Sequence, residues 1–127
     1  MEDIYYNVRK TGKGVAREVL RLYKKHPDIF ARRKLGLDAA RQSTADPERA
    51  CHFCVLGLAS LVAGEEKIHY ATGNKAWKDF VLLFNKTAKK LGYLPENILD
   101  TSYCNTYTVN DDKGLEGVEL VLKKAIK

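Results

Sequence analysis

Apolar positions recur at helical spacing through most of this chain and predict a succession of amphipathic helices. Between Lys13 and Lys25, Val15, Ala16, Val19, Leu20, Leu22 and Tyr23 fall on one arc of about 160°. Lys13, Arg17, Arg21 and Lys24 group within about 80° on another face. Pro27 ends this first helix and turns His26 away from helical angles. Asp28 can cap a short helical turn through Ile29, Phe30 and Ala31. Arg32, Arg33 and Lys34 follow, and residues 36–46 read as a connecting loop.

Asp46-Pro47-Glu48 has the form of a helix start: a capping carboxylate, a proline in the first turn and an acid near the positive dipole end. A central helix is expected from there to Ala63, stopping at Gly64, with its second half apolar all round. The next helix is the clearest, with Trp77, Phe80, Val81, Phe84, Ala88 and Leu91 in its stripe and Gly92 after it. Leu94-Pro95 starts a short helix holding Ile98 and Leu99. Residues 102–109 alternate and are rich in β-branched and aromatic side chains, which predicts an extended segment. Asp111 or Asp112 caps a last helix buried through Leu115, Val118, Leu122 and Ala125.

The fold class that follows is mainly α: a compact single domain of about five helices, with room for a short extended N-terminal arm or a small strand pair. Residues 1–12 form the arm, where Ile4, Tyr6 and Val8 alternate, and residues 13–127 form the helical domain.

Charge sharpens this picture. The net charge is +6, and it is concentrated in one region. From Arg9 to Lys34 ten basic residues face only Glu18 and Asp28, whereas from Ala50 onward ten basic residues meet nine acidic ones. Such a region favours anionic partners. Three cysteines, Cys51, Cys54 and Cys104, do not make a disulfide framework, and a reducing cytoplasm is the expected compartment. The acidic and then tyrosine-rich start is not a signal peptide. The longest mainly apolar uncharged run, Phe53 to Gly64, is too short to span a bilayer, so no membrane partner is expected.

Phe53-Cys54-Val55-Leu56-Gly57-Leu58-Ala59, followed far downstream by Asn110-Asp111 before a final amphipathic helix, resembles an uncharacterised family of small proteins from bacteria and their phages. That family pattern has a Leu-rich first helix, an aromatic about ten residues later, a Cys-x-x-Gly-Ala element in a central helix and an Asn-Asp pair before the last helix. Here the aromatic is Phe30 rather than Trp, Leu58 stands where Ala is usual, and Cys51 is an extra cysteine. The resemblance spans about residues 14–126. It implies the helical fold and a phage or mobile-element origin, and it carries no established activity.

Among chemistry-bearing residues, Cys54 falls two turns inside the expected central helix, among apolar neighbours that would raise its pKa. Gly57, three residues on, suggests close approach of another backbone. A Cys54, His69 and Asn110 or Asp111 set is the arrangement a cysteine-dependent hydrolase would need. The simpler reading makes Cys54 structural, Asp111 a cap and Asn110 a turn former or a partner of a neighbouring backbone. Cys51, His52 and Cys54 are close in sequence. On a regular helix, however, His52 lies about 160° from Cys54, so no metal site and no cofactor are expected.

The leading function is therefore a small non-catalytic binding protein, more a binding module than an enzyme. It would engage an anionic host protein or nucleic acid through Lys13, Arg17, Arg21, Lys24, Arg32, Arg33 and Lys34. Interference with a bacterial defence system is one form that the implied origin suggests. The alternative is the hydrolase above. A third reading places a small anionic ligand, such as a nucleotide, between the first helix and the loop at 32–46.

Overall fold

The computed structural model describes residues 4–68 and 73–127. Thr11 opens the first helix, α1 (Gly12–Lys25), by accepting the Gly14 N–H on its hydroxyl at 3.0 Å. His26 closes it, and Pro27–Ile29 forms a single 3₁₀ turn rather than a longer helical piece. Two short strands, β1 (Gly36–Leu37) and β2 (His52–Phe53), pair antiparallel, Gly36 opposite Phe53 and Leu37 opposite His52. Three further helices follow: α2 (Val55–Val62), α3 (Lys75–Lys90) and α4 (Tyr103–Ala125).

All eight residues of α2 are buried, and α1, α3 and α4 pack around it and against one another. The apolar arc expected of α1 is the buried one, and Trp77, Phe80, Val81, Phe84 and Ala88 of α3 enter the same core. Glu18 is also buried on α1. Its carboxylate takes a paired hydrogen bond from Arg21 at 2.8 and 2.7 Å and the Asn7 N–H at 2.7 Å. Arg21 also donates to the Tyr5 carbonyl, and the Arg9 N–H donates to the Val62 carbonyl. These bonds lay residues 5–9 of the N-terminal arm over α1 and α2, and the described part of the arm forms no strand.

The chain is mainly helical as expected, with four α-helices among the described residues instead of about five, and four local expectations are corrected. The central helix does not begin at Asp46. That residue caps only a turn, its carboxylate accepting the Glu48 N–H at 3.0 Å, because residues 51–54 are drawn out to pair with 31–37. Residues 94–99 form turns rather than a helix. Residues 102–109 are the start of α4, not an extended segment: Thr106, Val109 and Asn110 are buried at helical spacing, and packing overrides β propensity. The helix breaks at Gly114, whose φ of +68° lies in the left-handed region. Neither Asp111 nor Asp112 is therefore an N-terminal cap, since both lie inside the first half of α4. Among the described residues no helix is long and apolar enough to cross a membrane.

Candidate functional site

Cys54 is the N-cap of α2 rather than a residue two turns inside it. Its sulfur accepts the Gly57 N–H at 3.4 Å, and its own N–H donates to the Leu35 carbonyl. A Cβ on Gly57 would collide with that same Leu35 carbonyl, so the close backbone approach suggested by this glycine is present. Asn110 completes the junction. Its Oδ1 accepts the Val55 N–H at 2.9 Å, and its Nδ2 donates to the Ala31 carbonyl at 3.0 Å and to Asp111 Oδ1 at 3.1 Å. Asp111 Oδ1 also accepts the Arg33 N–H at 2.8 Å.

The fold thus brings Cys54, Asn110 and Asp111 together, while His69 lies outside the described residues. A helix N-terminus ordinarily favours a thiolate. Here burial dominates: Cys54 has no exposed surface, and its thiol is pushed up to about 12 by desolvation, with the charge of Asp111 adding to the rise. Asn110 spends both ends of its amide on backbone groups. Cys54, Asn110 and Asp111 each have a structural task, and Cys54 and Asn110 have no exposed surface from which to act as a nucleophile or its orienting partner. No three His, Cys, Asp or Glu side chains among the described residues converge as metal ligands.

The basic residues divide into two places. On α1, Lys13, Arg17 and Lys24 are exposed on the outer face. Arg21 belongs to the same stripe, but its guanidinium is held by buried Glu18. That ion pair raises the Arg21 pKa and, through the hydrogen bonds from Arg21 above all, lowers that of Glu18. Arg32, Arg33 and Lys34 are exposed on the segment entering β1. The Arg32 guanidinium rests against Gly114, where a Cβ would collide with it. Arg33 has a φ of +67°, a conformation uncommon for a non-glycine residue.

A cleft of about 700 Å³ lies between residues 33–45 and the first two turns of α4, with Ile68 beside them. Its walls include Arg33, Lys34, Leu35, Ser43, Thr44, Tyr103, Cys104 and Tyr107. The cleft on the 32–46 loop is closed by α4, whereas the sequence reading sets that loop against the first helix. Tyr103 and Tyr107, four residues apart on a helix, share one face. Their spacing is visible in the sequence, but the alternation of residues 102–109 conceals it. Comparison with protein-family models, with curated proteins and with solved structures finds no match for this chain.

Proposed function

We propose that this protein is a non-catalytic binding module of phage or mobile-element origin that engages an anionic macromolecule through the outer face of α1. The observation that carries the reading is the exposed row of Lys13, Arg17 and Lys24. At 100° and 1.5 Å per residue these three side chains lie within about 40° of one another along roughly 16 Å of helix. Arg17 and Lys24 make no ion pair among the described residues. Rows of this kind bind polyanions by releasing condensed counterions. The sealing of Cys54 supports binding over hydrolysis.

Nucleic acid is the partner to test first, using fluorescently labelled single- and double-stranded oligonucleotides. Three phosphate contacts predict a slope of about −2.7 for log affinity against log salt on duplex, and a shallower one on single strands. The double variant Arg17→Glu/Lys24→Glu should abolish binding and leave the melting temperature unchanged. Arg21 is a poor probe, because reversing it would leave two carboxylates facing each other at buried Glu18. Undiminished binding by the double variant would sink the proposal.

A further inference from the structure

The geometry points to the cleft between residues 33–45 and α4 as a second binding site, for a small aromatic compound carrying a phosphate, of the nucleoside monophosphate class. The volume of about 700 Å³ lies inside the usual range for small-molecule sites, roughly 300–1,000 Å³. The lining is chemically one-sided. Tyr103 and Tyr107 supply two aromatic rings from one helix face, Arg33 and Lys34 supply two cations, and no described lining residue carries a carboxylate. Flat rings accept a base by stacking, and guanidinium and ammonium groups accept a phosphate. The α4 wall is also the electropositive, amino-terminal end of that helix.

The opposite wall is fixed before any ligand arrives. The Thr44 N–H donates to the Gly36 carbonyl at 3.1 Å, the Cys51 N–H to the Leu37 carbonyl at 2.7 Å and the Cys54 N–H to the Leu35 carbonyl at 3.3 Å. Asp111 Oδ1 is bonded to the Arg33 backbone N–H and to Asn110. The Arg33 guanidinium forms no ion pair among the described residues. A cation held on a rigid backbone beside two rings suits a ligand with one anionic and one aromatic end better than it suits a bare anion or a neutral ring.

Cys104 lines the cleft and is exposed, whereas Cys51 is exposed outside it, so the protein carries its own probe and control. The experiment measures alkylation rates of both thiols in the intact protein by mass spectrometry. The probes are adenosine, guanosine, cytidine and uridine 5′-monophosphates, each beside its nucleoside, and inorganic phosphate. At ten times its dissociation constant, a bound nucleotide should slow Cys104 about elevenfold and leave Cys51 unchanged. Nucleosides and phosphate should protect far less. Arg33→Gly removes the guanidinium while keeping a residue suited to positive φ, and it should abolish protection; Lys34→Ala should weaken it. Absence of protection by all four nucleotides at millimolar concentration overturns the inference, as does equal protection by phosphate alone or undiminished protection in Arg33→Gly. The α1 double variant should protect Cys104 like the unmodified protein, so this site and the polyanion row fail or stand separately.

Discussion

Replacing Asn110 by alanine tests whether the buried junction is structural. The substitution removes the only described side-chain partner of the Val55 N–H and the amide donor to the Ala31 carbonyl. Both bonds lie in the interior, and Asn110 itself has no exposed surface. A buried polar group left without its partner costs about 1–3 kcal/mol, so two orphaned groups give a loss of roughly 2–6 kcal/mol. Partial hydration of the vacated space favours a value near 3–5 kcal/mol, a large fraction of the roughly 5–15 kcal/mol that holds a typical domain. With a urea slope of about 1.5 kcal/mol per molar, the unfolding midpoint falls by about 2–3 M. Asn110→Asp separates the two halves of the amide: it keeps an acceptor for Val55 and loses the donor to Ala31. Once protonated, the new carboxyl can donate again, so its deficit relative to the unmodified protein at the same pH should shrink as pH falls. A loss below about 1 kcal/mol in Asn110→Ala, with the urea slope unchanged, would refute the reasoning.

Two further outcomes follow from the same interior. A thiol titrating at about 12 is ionised to only about one part in 10⁵ at pH 7, so iodoacetamide should label Cys51 and Cys104 natively and Cys54 only after denaturation; fast native labelling of Cys54 would restore the hydrolase reading. The hydrogen bonds from Arg21 hold the Glu18 carboxyl below its ordinary range, with burial opposing them and the Asn7 N–H and the Arg21 and Arg9 charges assisting, so this stabilisation is present above the unfolded carboxyl pKa and disappears as pH falls through the lower folded one. Unfolding curves of Glu18→Gln and the unmodified protein should therefore differ at pH 7 and converge in acid, and a gap that widens in acid would contradict the sign.

The parts of the fold legible in the sequence are those whose causes are local. The α1 and α3 stripes stop just before Pro27 and Gly92, as their spacing predicts, and the structure adds Thr11 and Asn74 as side-chain N-caps. Gly57 announced a close contact because few other demands require a glycine inside so apolar a run. The start of α2 was not legible, because Asp46-Pro47 is a sound start signal that loses to a long-range competitor, the pairing of residues 52–53 with 36–37. Residues 102–109 failed for a similar reason, since burial of Thr106 and Asn110 is decided by α2, α3 and the segment at Ala31. At the site, the exposure of Arg17 and Lys24 was readable from the helix face. The diversion of Arg21 was readable in principle from the i, i+3 spacing to Glu18. The cleft was not readable, because its walls lie some seventy residues apart in the chain.

Residues 31–35 tie these observations together. Their inner atoms are engaged: the Ala31 carbonyl by Asn110, the Arg33 N–H by Asp111 and the Leu35 carbonyl by Cys54. Their outer side chains are the exposed cations Arg32, Arg33 and Lys34. The left-handed backbone at Arg33 costs about 1–3 kcal/mol and persists only where its surroundings over-determine it. Here Asp111 and the two flanking carbonyl bonds do so. The buried junction thereby fixes the positions of surface charge, which reduces the ordering cost an anionic ligand would otherwise meet. On this account the cysteine and the asparagine–aspartate pair matter to binding without touching a ligand, by holding the segment that does.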